Sequence, residues 1–173
     1  MKKSSIFFRA ITLPSILLSI MVSLSQITYA QNSEKQEKEN AKIEAIKQMV
    51  EARRFVFMAQ SATPMSGRTR QLTYDYKLKI KKDTIESDLP YYGRAYTASP
   101  GDTDGGINFK TTSFEYSSKE GPKGGWDIII APKQIKNVNR MLLSISNSGY
   151  GTLQVTSITR QTISFNGYVM ELK

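Results

Sequence analysis

The sequence predicts an α+β protein that is mostly β. One N-terminal amphipathic helix packs on a curved antiparallel sheet of about eight strands, within the size that open sheets reach before curling. Three observations predict it. Apolar residues recur at helical spacing once, near the start of the folded part, and alternate with period two from Phe55 onward. Glycine and proline breakers then cut the remainder into short segments. Links this short cannot hold crossover helices, so the pairing must be mostly antiparallel. A partly closed barrel or a two-layer sandwich is the alternative arrangement of the same strands.

The helix starts at Ala41. Ile43, Ile46, Met49 and Val50 share one face, while Glu44, Lys47 and Glu51 stand at spacings that support an exposed one. It ends near Arg53. Phe55-Val56-Phe57-Met58 is aromatic and β-branched and favours a strand, closed by a turn over 63–67. The cleanest alternation follows: Leu72, Tyr74, Tyr76, Leu78 and Ile80 against Thr73, Asp75, Lys77, Lys79 and Lys81. Lysines on the wet face guard strands against aggregation; an anion-binding strip is the competing reading. Further strands are expected at 84–87, 94–98, 107–109, 113–117, 126–131, 141–147, 152–158 and 163–172, and Pro132 to Asn139 could hold a turn of helix.

The N-terminus reads as an export signal. Lys2, Lys3 and Arg9 precede an apolar run from Ala10 to Leu24, and Thr28-Tyr29-Ala30 places small residues before a cut between Ala30 and Gln31. The run is shorter than the ~20 apolar residues of a membrane span and contains Pro14. With no cysteine at the cut, lipid anchoring is excluded. The expected organisation is therefore a signal peptide over 1–30, a flexible polar spacer or fraying helical start over 31–40, and a single domain over 41–173. The mature product is expected to be periplasmic or secreted, with no stable membrane insertion. Cleavage lowers the net charge from +9 to +6. Export makes nucleic acid an unsuitable partner and leaves anionic glycans or head groups within reach.

Two absences restrict the chemistry. The chain has no cysteine and no histidine, which removes thiolate nucleophiles, imidazole bases, the usual catalytic triads and the usual zinc ligands together. No catalytic residue, metal site or cofactor is assigned. Paired carboxylates could still hydrolyse glycosides without histidine, and Glu86, Asp88, Glu115 and Asp127 fall near predicted strand ends.

Other motifs are weaker. Gly121-Pro122-Lys123-Gly124-Gly125 is followed by a strand, so it reads as a hairpin loop and not a phosphate cradle. Asp102 and Asp104 sit in a glycine-rich turn, but Ser113 stands where a calcium loop needs a bidentate glutamate. Trp126 precedes an apolar strand and reads as core. Tyr91, Tyr92, Arg94 and Tyr96 gather around Pro90 and Gly93; aromatic rings beside a planar cation suit sugars or flat ligands, and these four are the candidate ligand contacts.

In order along the chain stand Phe55-Val56-Phe57, Leu89-Pro90-Tyr91-Tyr92-Gly93-Arg94-Ala95, Gly125-Trp126-Asp127-Ile128 and Gly151-Thr152-Leu153-Gln154-Val155, then Arg160-Gln161 and Phe165-Asn166-Gly167-Tyr168. This set resembles a family of exported Bacteroidetes proteins known as domain of unknown function 4251. The resemblance spans the mature chain and implies one exported domain of this size. It implies no catalytic residues and no ligand. The leading functional expectation is a non-catalytic binding module that holds a small apolar or glycan ligand, or an envelope protein partner, in the concave face of the sheet. A carboxylate-based hydrolase and an envelope assembly factor are the alternatives.

Overall fold

The computed structural model describes residues 34–96, 105–121 and 124–172. The expected signal peptide, its cut at Ala30–Gln31, and the Asp102–Asp104 turn lie outside them. Among the described residues, no helix is long and apolar enough to cross a membrane.

Residues 34–51 are helical (α1), so of the two readings of the polar stretch before Ala41 the helical start holds for 34–40. Lys38 pairs with Glu34 one turn back at 2.6 Å, on the exposed surface. From Lys42 onward the expected face appears: Ile46 and Val50 are buried, with Ile43 and Met49 packed beside them. The helix closes on a Schellman motif. The Arg54 N–H donates to the Met49 carbonyl and the Arg53 N–H to that of Val50, at 3.0 and 3.1 Å. Arg53 occupies the left-handed position at φ 51°, which glycine usually fills. Its guanidinium lies 4.6 Å from the centre of the Tyr116 ring, a contact that offsets part of the ~1–2 kcal/mol backbone cost.

Ten strands follow: β1 (Phe55–Pro64), β2 (Arg70–Gln71), β3 (Lys77–Lys81), β4 (Thr84–Leu89), β5 (Ile107–Thr111), β6 (Phe114–Glu120), β7 (Trp126–Pro132), β8 (Arg140–Ile145), β9 (Tyr150–Thr156) and β10 (Ile163–Glu171). Nine lie in the order β5-β4-β3-β1-β10-β9-β8-β7-β6, and β2 pairs β1. Every paired neighbour is antiparallel. β5 and β6 are the outermost strands, yet only Thr112 and Ser113 separate them. Two residues cannot cross a flat sheet of that width, so the sheet curls on itself into a nearly closed barrel with staggered strands. The expected α+β, mostly β architecture is present, in its barrel-like form.

The inward positions form one cluster. Phe55, Phe57, Leu78, Ile85, Leu143 and Phe165 are fully buried within it, and Ile46 and Val50 of α1 join them. Tyr116 of the outermost strand β6 donates its hydroxyl to the Val50 carbonyl at 3.3 Å, which ties that strand to the helix end. Burial raises the Tyr116 phenol pKa to about 12, against the opposing pull of Arg53. The concave face expected to hold a ligand is thus occupied by the protein's own side chains.

Three local expectations change. The long alternating strand from Leu72 to Ile80 is broken: only Lys77–Lys81 is strand, and residues 72–76 leave the ladder. β1 pairs β2 at Ser61↔Gln71 and β3 at Met58↔Lys77, so five residues bridge a gap spanned by Ala59 and Gln60 on β1. Two backbone bonds anchor the outlooping segment, Leu72 N–H to the Gln60 carbonyl and Ala59 N–H to that of Tyr76, both 2.9 Å. Tyr74 consequently stands 74 % exposed, not on the core face. Arg94–Ala98 is reduced to a single bridge between Ala95 and Arg160, with 97–98 outside the described residues. After Pro132 ends β7, residues 133–139 form bends and a turn and no helix; Val138 is buried there as a core plug.

Candidate functional site

The four candidate contacts do not converge on one spot. Tyr91 turns inward. Its hydroxyl lies 2.9 Å from the carbonyls of both Arg94 and Gln161, and the Arg160 guanidinium stacks over its ring at 5.1 Å. Burial raises its phenol pKa while Arg160 opposes the shift. Arg160 in turn donates to the Gly105 and Gly106 carbonyls at 3.2 and 3.1 Å, so this group fastens the 91–96 segment to the corner before β10. Tyr92, Arg94 and Tyr96 remain exposed. Tyr92 has found different company: Arg70 lies 4.8 Å from its ring centre and its phenol meets that of Tyr76. Tyr76 packs edge-on to Tyr74 at 6.1 Å. Partial burial, then Tyr92, Tyr74 and Asp88, raise the Tyr76 pKa.

The four candidate carboxylates fall in two places: Glu86 and Asp88 stand two residues apart on the outer face of β4, and Glu115 and Asp127 lie on the β6–β7 hairpin. Glu86 lies between Lys79 and Lys110, at 3.6 and 3.8 Å. Glu115 pairs with Lys133 at 3.1 Å. Asp127 accepts a 2.6 Å bond from the Ser144 hydroxyl. Glu115 and Asp127 share the outer face of the β6–β7 hairpin, but Glu115 pairs with Ala131. That offset of four residues separates them by about 13 Å along the strands, wider than either glycosidase geometry. Among the described residues, no group of three acidic side chains could hold a metal ion.

The strand register assembles a site that no local stretch of sequence announces. Asp127 pairs with Ser144, Ser144 with Thr152, Thr152 with Asn166, and Asn166 with Ser61. Four polar side chains thus stand in one row across β7, β8, β9 and β10 on the outer face. Gln60 continues the row on β1, because a bulge there shifts the β1–β10 register between Ala59 and Ser61. The row is held in place internally: Ser144 donates to Asp127, and the Thr152 hydroxyl donates to Asn166 Oδ1 at 2.9 Å. Both bonds restrain rotamers, and the chemistry of the groups leaves Asn166 two amide donors and Asp127 a second oxygen for other partners.

Beside this row runs an aromatic one. Tyr150 and Tyr168 are register partners on the same face, two residues from Thr152 and Asn166, and Tyr150 is 63 % exposed. The polar row and Tyr150 line an open groove of about 530 Å³, with Gly121 and Gly124 of the β6–β7 hairpin at one end, and Tyr168 stands beside it as the register partner of Tyr150. Beneath it Gly151 and Gly167 are paired on the opposite face. A side chain at Gly167 would run into the Met58 carbonyl of β1. That close approach bends the sheet under the groove. The Gly121 N–H donates to the Gly125 carbonyl at 3.1 Å, as in a hairpin loop, and Trp126 behind it is buried as expected.

A second groove, about 850 Å³, lies on the same face over β3, β1 and β10. Its floor is Val56, Met58 and Met170, and the expected lysine row, Lys77, Lys79 and Lys81, flanks it.

The model of the family described as Domain of unknown function (DUF4251) matches residues 37–169. The crystal structure of a DUF4251 family protein from Bacteroides eggerthii DSM 20697 is similar in fold, with a TM-score of 0.59 at 14 % identity, covering 76 % of this chain and 88 % of that one. No curated protein matches the chain.

Proposed function

The chain belongs to the DUF4251 family, and we propose that it is a non-catalytic glycan-binding module whose site is the outer-face groove. The observation that carries this reading is the row Asp127, Ser144, Thr152, Asn166 and Gln60, laid in register beside the exposed Tyr150 and its half-buried partner Tyr168. Sugars present apolar ring faces and a rim of hydroxyls. A tyrosine platform meets the first, and a line of fixed amide, hydroxyl and carboxylate groups meets the second. Glu86 is committed to Lys79 and Lys110, and Glu115 stands four residues out of register with Asp127, which supports binding over catalysis. The N-terminal pattern of Lys2, Lys3, Arg9 and Thr28-Tyr29-Ala30 supports export to the periplasm or beyond, and the exported product should begin at Gln31.

Binding of the purified protein to a polysaccharide and oligosaccharide array, followed by titration calorimetry on the hits, tests this reading. Tyr150→Ala should weaken the interaction roughly 2- to 12-fold, the scale of one lost aromatic contact of ~0.5–1.5 kcal/mol. Asn166→Ala should weaken it by a similar factor. An array without a hit, or hits indifferent to both substitutions, would remove the proposal.

A further inference from the structure

We infer that the glycan is an acidic one, carrying carboxylate or sulfate groups, and that it runs from the tyrosine platform across Met58 into the lysine-lined groove. This rests on the reading of the outer face as a glycan surface and adds the chemistry and direction of its ligand. The two grooves are not separate features. Tyr150 pairs with Tyr168, Tyr168 with Met58, and Met58 with Lys77, so one continuous outward row joins them over about 14 Å, three interstrand steps. The adjacent row continues Met170–Val56–Lys79.

Charge is distributed unevenly along that path. The second groove is lined by Arg54, Lys77, Lys79, Lys81 and Lys82, against Asp83 and Glu171. The lysines nearest the path are partly committed, Lys79 to Glu86 at 3.6 Å and Lys77 opposite Asp88 across the ladder. Arg54, Lys81 and Lys82 lie further along, where α1 ends and the β3–β4 turn begins, and they outnumber the two acids there. A neutral sugar gains nothing from this end of the path. An acid group placed over it gains several screened attractions at once. Asp127 marks the opposite end, in the first groove, and would repel an acid there. The ligand's anionic part is therefore directed toward Arg54, Lys81 and Lys82.

The test uses matched polymers: polygalacturonate, alginate and hyaluronate, each beside its carboxyl-reduced form, measured with the full chain by calorimetry or immobilised-ligand binding. The acidic member should bind on the order of tenfold tighter, and the difference should shrink as salt rises from about 0.05 M to about 0.5 M. Arg54→Ala with Lys81→Ala and Lys82→Ala should abolish the preference, with a denaturation curve verifying that this variant is folded. Asp83→Asn with Glu171→Gln should enlarge it a few-fold, a gain that misfolding cannot produce. Equal binding of acidic and reduced polymers would overturn the inference and leave the glycan reading standing. No binding to any polymer overturns both. Binding to vesicles of anionic phospholipid but to no polymer would also overturn it, by replacing the sugar with a lipid head group.

Discussion

Gly167→Ala should be among the most damaging single-methyl additions available in this chain. Gly167 faces Ala59 across the β1–β10 ladder, immediately before the bulge at Gln60. An added Cβ would fall within the van der Waals envelope of the Met58 carbonyl oxygen, 2.9 Å from its carbonyl carbon and 3.1 Å from the Ala59 Cα. All three obstacles are backbone, so no rotamer change relieves them. Separating the strands enough, by roughly 1 Å, stretches ladder hydrogen bonds on both sides of the bulge. Overpacking in a fixed surround costs about 1–3 kcal/mol, and each weakened ladder bond adds to it. A loss of about 3 kcal/mol corresponds to a drop of roughly 6–12 °C in Tm at this size. Urea unfolding followed by far-ultraviolet dichroism measures it, with Gly105→Ala as the control, since nothing lies within 4 Å of a Cβ there. The reasoning fails if Gly167→Ala stays within about 0.5 kcal/mol of the parent. In that case the β1–β10 register and the position of Gln60 beside Asn166 would both be wrong, and the polar row with them.

Two further outcomes follow from the aromatic staples. Tyr116→Phe removes the donor to the Val50 carbonyl and should cost about 1 kcal/mol, read from the same urea curves. Because the folded Tyr116 pKa is raised to about 12 from 10.0, the native state holds its proton longer than the unfolded chain. Its contribution is therefore complete below pH 10 and declines as pH rises toward 12; the decline should be shallower in Tyr116→Phe, and equal slopes in the two proteins would refute the assignment. Tyr91→Phe removes the hydroxyl that bridges Arg94 and Gln161. It should speed hydrogen exchange at the Tyr96 and Gln161 amides, which hold this segment to its corner, without altering the β7–β9 amides.

What was legible in the sequence was whatever depends on local period. The apolar helix face from Ile43 to Val50, the outward lysines of β3 and the hairpin at Gly121–Gly125 all express rules that act within a few residues. The failures share one cause. Leu72, Tyr74 and Tyr76 alternate as well as Leu78 and Ile80 do, and nothing local distinguishes them. They leave the sheet because β1 has room for only two residues opposite five. That mismatch is a property of pairing, and a single strand does not carry it. Tyr91 shows a related limit: beside an arginine, a tyrosine reads the same whether or not its hydroxyl bonds a backbone corner supplied by a residue seventy positions away, as it does here.

The polar row is the sharper case. Asp127, Ser144, Thr152 and Asn166 are each a single polar residue in an alternating strand, where an outward polar side chain is the default. Their meaning arises when three successive registers bring them level, and register is set by turn lengths and by the inward apolar set. The glycines under the row follow the same logic. Gly151 reads as a weak strand position in isolation, yet it pairs with Gly167, whose missing Cβ leaves room for the Met58 carbonyl of β1 next to the bulge at Gln60. A groove on the outer face then needs no cavity in the core. The interior can be filled entirely by side chains that stabilise the barrel, while binding chemistry is written on the opposite face of the same strands. Substitutions should separate along that division: exchanges in the row should alter binding with little loss of stability, and exchanges at Phe57, Leu143 or Phe165 should cost about 2–5 kcal/mol before they affect the groove.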